Sequence, residues 1–239
     1  MGATTALISM GTVEAKEPET KIVFDTPAGI VESRARIAGH RVVDVSIANV
    51  PSFLHTRDLA IELPDIGPVT VDVSYGGNFF ALVSAEKLGV GVDLSNYAKL
   101  VSFGMAIKDA VNRRLQIQHP TKPHINQVAL TEIYEKPSTL FSKSVVIFGQ
   151  GQVNRCPCGT GTSAAMAMMY SKGELPLGAK FLNESIIGTR FEGVLTREAR
   201  VGDFAAVEPI ITGRSYITGI QQIVVDPCDS LKYGFMIAP

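Results

Sequence analysis

Tryptophan is absent from the 239 residues, histidine occurs four times and cysteine three times. Three cysteines, two of them separated by a single residue, cannot make a disulfide framework, so a reducing cytoplasm is the default expectation. Neither charge sign dominates: 22 Lys and Arg face 23 Asp and Glu, net charge -1, with no run of like charges. A nucleic-acid or membrane surface is therefore not expected. No apolar stretch approaches the roughly 18 residues of a membrane helix. The start, Met1 to Ile8, carries no basic segment and does not read as a signal peptide. What remains is ordinary: 46% hydrophobic residues in a chain long enough for one large domain or two small ones.

The most informative stretch runs from Gln152 to Ala167. Pro157 forces Cys156 into an extended bend, and Cys158-Gly159-Thr160-Gly161-Thr162 then leads into Ala164-Ala165-Met166-Ala167-Met168-Met169, a run of strong helix formers. Cys158 thus stands where the first backbone N–H groups of a helix have no intrahelical partners. Such a start attracts anions and is expected to lower the pKa of a nearby thiol. One position could hold both a reactive thiolate and a carboxylate pocket.

Elsewhere strands predominate. Ala3 to Met10 reads as a helix closed by Gly11, and residues 21–25 and 30–37 as strands. Val43, Val45 and Ile47 alternate with polar residues, as do Val69, Val71, Val73 and Tyr75, which places Asp44 and Asp72 on solvated faces. Gly76-Gly77 implies either a twisted corner or a close backbone approach. Asp93 or Ser95 caps a helix reaching about Leu115, with Leu100, Phe103, Ile107, Val111 and Leu115 on its buried face. Residues 128–134 and 144–148 are strands, and 216–225 a last one before a turn containing Cys228. The composition puts a boundary near Leu54. Two units follow, residues 1–54 with 215–239, and residues 55–214. Met1 to Gly11 also lies in register with Ser163 to Gly173, pairing Ala3 with Ala165, Ser9 with Ser171 and Gly11 with Gly173. That weak internal repeat suggests two related halves.

Residues 146–164, with Asn154-Arg155-Cys156-Pro157-Cys158-Gly159-Thr160-Gly161-Thr162 at their centre, closely resemble the second active-site motif of the proline racemases, whose usual form is Asp-Arg-Ser-Pro-Cys-Gly-Thr-Gly-Thr. Residues 75–81, 117–121 and 216–229 are similar as well, so the likeness spans essentially the whole chain. In the related trans-3-hydroxyproline dehydratases this cysteine is typically threonine, which Cys158 argues against. The resemblance implies an α/β fold of the diaminopimelate-epimerase type: two pseudo-symmetric halves, each a curved mixed sheet around a central helix, the first half incomplete here. It implies cofactor-free interconversion of L- and D-proline, or epimerisation of 4-hydroxyproline, by two cysteines on opposite faces of the α-carbon. Cys158 would be one of the pair. Gly159 and Thr160 would bind the substrate carboxylate through backbone amides, Asn154 its ammonium, and Phe148 would pack on the ring.

Three departures accompany the likeness. The family's first motif, Met-Cys-Gly-His, is expected upstream of Met1, where the repeat also places a counterpart of Cys158. The family's Asp, which holds the ammonium, is Asn154, which keeps an acceptor but no charge. The family's Ser is Cys156. These departures lead to the expectation of a shortened, impaired racemase, or of a non-catalytic remnant. With fewer strands ahead of it, the first helix is expected to leave Ala6, Leu7 and Ile8 without a sheet, giving an apolar patch within residues 1–50 and a possible homodimer. Other readings are weaker. A Cys156–Cys158 metal site has too few ligands, a Cys158 hydrolase lacks an evident histidine partner, His119 and His124 suit loop ordering, and Met166, Met168 and Met169 suit core packing.

Overall fold

The computed structural model describes residues 1–64 and 66–235. In chain order its elements are α1 (Gly2–Ser9), β1 (Glu19–Thr26), β2 (Gly29–Ala38), β3 (Arg41–Ala48), β4 (Phe53–Leu63), β5 (Gly67–Tyr75), β6 (Phe79–Ser84), α2 (Tyr97–Arg114), β7 (Val128–Ser138), β8 (Phe141–Phe148), β9 (Gln152–Val153), α3 (Gly159–Ser171), β10 (Lys180–Ser185), β11 (Arg190–Val201) and β12 (Phe204–Gly213). The long strands form one mixed sheet in the order β1-β2-β3-β12-β11-β10-β8-β7-β6-β5-β4, with β9 beside β8. Pairing is parallel only between β6 and β7 and between β8 and β10. The connection from β6 to β7 carries α2, as a parallel crossover requires.

The sheet curls around α3. This helix touches β4, β5, β6, β11 and β12, and an isolated bridge between Ser52 and Val207 brings the two ends of the curl together without closing it. The sequence of α3 explains its place. It is apolar on every side, with Ala164, Ala165, Met166, Ala167, Met168 and Met169 all buried, as befits a helix with no solvent face. Its small residues let strands approach closely. A Cβ at Gly76 would collide with the carbonyl of Thr160 and stand 2.6 Å from the nitrogen of Ala164. Of the two readings of the double glycine, close backbone approach is therefore the one realised.

Two further layers flank this core. The stripe Leu100, Ile107 and Val111 of α2 is buried on the outer face of the curl, and Gly104 lets the helix settle onto Ile147, whose side chain would lie 2.7 Å from an added Cβ. Asp93 accepts from the N–H groups of Ser95 and Asn96, capping the 3-10 turn that leads into α2. On the other side α1 rests on β2 and β3, where Ile8 packs with Ala35, Ile37 and Val45. Ile8 thus has a sheet after all, and Ala6 and Leu7 are half-buried. Met10, Val23 and Ile30 are exposed. Helices α1 and α3, the pair in the sequence repeat, are each followed by a glycine at φ 73°, Gly11 and Gly173. Strand β3 joins the first three strands to β12, and Leu54, near the expected boundary, is the second residue of β4.

Two expectations fail. Asp72 is not solvated. It is buried, accepts from the backbone N–H of Asp58 and pairs with Lys172 at 2.5 Å, because the curl covers both faces of β5. Residues 216–225 form no strand. Ile220, Ile223 and Val224 are exposed, and the segment pairs with none of the described strands. No helix of the described residues is long and apolar enough to cross a membrane.

Candidate active site

A cavity of about 760 Å³ opens at the start of α3. Gly159, Thr160 and Cys156 line it from that side, Met1 and Gly2 from the start of α1. The beginnings of the two repeat-related helices thus meet in one space. Asn49, Gly77, Asn78, His124, Phe191 and Arg214 contribute to the remaining wall.

Local structure fixes the α3 rim. Asn49, between β3 and β4, donates through Nδ2 to the carbonyl of Gly76 (2.8 Å) and to Ser163 Oγ (2.9 Å), tying the β5–β6 turn to the helix. A Cβ at Gly77 would stand 2.9 Å from Thr160 Cγ2, so the turn and the helix start are in contact. The helical ladder begins with Thr162 N–H donating to Cys158 O at 2.8 Å. The amides of Gly159, Thr160 and Gly161 precede that bond, which leaves them available to an anion in the cavity or to the thiol. Opposite, His124 Nε2 lies 3.0 Å from the carbonyl of Pro27 and holds the 117–126 loop against the β1–β2 turn. His119 is buried, and its Nδ1 accepts from the Thr121 N–H at 3.2 Å. Both histidines order this loop.

Cys158 stands between the lining residues Cys156 and Gly159 at the N-cap of α3, with φ at +63°. A non-glycine residue held in that region marks a position that its surroundings over-determine. The side chain is 7% exposed, and Sγ lies 3.4 Å from Thr160 Oγ1. The electrostatic outcome differs from the expectation. Burial pushes the thiol up to about 11, and the neighbouring Glu132 acts in the same sense, while the Thr160 hydroxyl and the Gly161 amide pull the other way. Desolvation outweighs the helix start. Burial thus favours the thiol over the thiolate at Cys158.

Of the residues singled out from sequence, Gly159 and Thr160 line the cavity and Cys158 adjoins it. Phe148, half-buried at the end of β8, and Asn154, whose N–H donates to Val146 O at 3.1 Å, are not among the lining residues. Cys156, read from sequence as a serine substitute, is exposed and does line it. The start of α1 was indicated by the internal repeat, whereas Asn49, Phe191 and Arg214 were not legible as site residues. Each comes from a different part of the chain and carries no local motif.

The chain belongs to the proline racemase family, whose family model, described as "Proline racemase", matches residues 1–236. It is 46% identical over 239 residues to the proline racemase of Clostridioides difficile, covering 99% of this chain and 71% of the relative. To the 4-hydroxyproline 2-epimerase of Streptosporangium roseum it is 41% identical over 238 residues, covering 99% and 72%. The crystal structure of a hydroxyproline epimerase from Agrobacterium vitis with bound trans-4-OH-L-proline superposes with a TM-score of 0.94 at 36% identity, over 98% of this chain and 68% of that one. A probable proline racemase from Agrobacterium radiobacter K84, with bound carbonate, gives 0.94 at 37% identity, over 98% and 69%.

Proposed function

We propose that the chain catalyses proton exchange at the α-carbon of proline or 4-hydroxyproline, with Cys158 as one acid/base of a racemase or epimerase. The observation that carries this is the position of Cys158: a buried thiol at the N-cap of α3, flanked by cavity-lining residues and by amides free to hold a carboxylate. Burial favours the protonated form of that thiol. A carboxylate bound by Gly159 and Thr160 would set the α-carbon beside Sγ. The thiolate form of Cys158 takes the α-proton, leaving a carbanion, and the thiol so formed, after exchange with solvent, returns a proton to carbon, which regenerates the starting sulfur. The higher identity to proline racemases than to hydroxyproline epimerases favours proline as substrate. The structure with bound trans-4-OH-L-proline keeps 4-hydroxyproline as the second reading.

Inversion needs a second group on the opposite face of the α-carbon. Cys156 lies on the same bend as Cys158, and Cys228 lies in the exposed 226–229 turn. Neither is an evident facing thiol, so these 239 residues alone are proposed to invert slowly or not at all. By the family likeness, Asn154 is proposed to accept from the ammonium and Phe148 to pack on the ring, although neither lines the cavity. A homodimer is proposed as the working form. The test is incubation of L- and D-proline in deuterium oxide, followed by NMR and chiral chromatography. Exchange of one enantiomer with retention supports Cys158 acting alone, and interconversion supports a two-base site. Absence of α-deuteration for proline and for 4-hydroxyproline would remove the proposal. Light scattering reads the oligomeric state.

A further inference from the structure

Beneath the first turn of α3 lies a carboxylate that the proposed reaction does not use. Glu132, in the middle of β7, is fully buried, and among the described residues neither of its oxygens has a hydrogen-bond partner. The polar groups nearest to it are engaged elsewhere: Ser144 Oγ donates to Asn183 Oδ1 at 3.2 Å, and Asn183 Nδ2 donates to Thr162 Oγ1 at 2.9 Å. Its place relative to the thiol is read from Gly161. A Cβ there would stand 2.5 Å from Glu132 Oε2 and 3.3 Å from Cys158 Cβ, with the Phe80 ring also at 3.3 Å. Carboxylate and cysteine therefore crowd the same side of the helix start, separated by a residue that cannot carry a side chain.

We propose that Glu132 is a positioning residue for Cys158, sharing with it a buried space that tolerates one negative charge, so that the proton on one group governs the proton on the other. As a statement about catalysis this rests on the acid/base role proposed for Cys158. The coupling itself does not. An unpaired carboxylate in such a place is costly and takes up a proton, and two anions there are costlier still. Burial pushes Glu132 up to about 7, only partly offset by Ser144 and Asn183, and Glu132 in turn raises Cys158. Two other ionisable groups act on this pair: Tyr134, two residues along β7, which is influenced by Glu132 and also by Asp72, Glu174 and Asp58, and Cys156 on the bend before α3. Leu82 on β6 and Val146 on β8, the cross-strand neighbours of Glu132, carry no charge. With Glu132 protonated the site admits a thiolate, and with Glu132 ionised it holds a thiol.

The test is the rate of iodoacetamide alkylation at Cys158 against pH, resolved from Cys156 by tandem mass spectrometry, on the free protein. A thiol titrating alone gains about tenfold in rate per pH unit below its pKa. In the wild type the line is expected to flatten near pH 7, where Glu132 ionises and resists the thiolate. In Glu132→Gln it is expected to run straight and to lie about tenfold higher at pH 8. Glu132→Leu, which buries no polar group, gives the same straight line if the glutamine amide disturbs packing, with circular dichroism reporting the fold. An unbroken wild-type line, or the same break in a folded Glu132 variant, overturns the coupling. Loss of proline exchange with the break intact would overturn the catalytic reading and leave the coupling standing.

Discussion

At the scale of single residues, the site is decided by burial more than by charge. Cys158 sits at a helix start, a place that ordinarily favours a thiolate, yet loss of water raises it instead. A Cys158→Ser chain should keep its fold and lose about 10²- to 10⁴-fold in α-deuterium exchange, measured by NMR, since a hydroxyl of similar size is a far weaker acid. The glycine beside it is constrained just as tightly. Gly161→Ala places a methyl 2.5 Å from Glu132 Oε2 and should cost about 1–3 kcal/mol, read as a lower denaturant midpoint at unchanged slope. Cys158, Gly159 and Thr160 could be singled out as candidates from the sequence because the signal is local: a bend, a thiol, glycines and then helix formers. Asn49 could not. Its amide matters only because β3 delivers it to Gly76 and Ser163, far along the chain.

At the scale of elements, the curl of the sheet explains both the successes and the misses of the sequence reading. Helices α2 and α3 were legible from a buried stripe and from an all-apolar run, and β3 from strict alternation. Alternation misled at β5, where it assigns Asp72 to water. That strand is covered on both faces, so a polar residue there needs a partner, and Lys172 at the end of α3 supplies it. Replacing Lys172 by Met should leave an uncompensated buried carboxylate and cost about 3–5 kcal/mol, visible in chemical denaturation at pH 7 and much reduced in a Lys172→Met, Asp72→Asn double variant. The segment 216–225 misled in the opposite way. Its composition suits a strand, but composition does not say which edge is free.

At the scale of the whole molecule, two buried groups shape stability against pH in opposite senses. His119 is held down to about 4, chiefly by burial, with Lys122 and His124 acting in the same sense. Its folded pKa lies below its unfolded value, so its contribution is present above about pH 6.5 and is lost as pH falls toward 4. Glu132 is raised to about 7 from 4.5, so its contribution is greatest at low pH and declines as pH rises through that window. Between these limits the two slopes oppose each other, and the wild-type unfolding midpoint should vary little. Glu132→Gln should expose the histidine slope, with stability rising from pH 4.5 to 6.5 in a urea titration.

The curl around α3 also bears on how the chain reaches this state. Ser52 and Val207, which bring its ends together, lie on opposite sides of most of the sequence, and the helix between them is sealed by strands from both flanks. Closure of so long a loop has to precede the contacts that reward it, which places the protein among slow folders with high contact order. The amide protons of Ala164 to Met169 should exchange with solvent only through global unfolding, making that single helix a direct gauge of the free energy of the whole molecule.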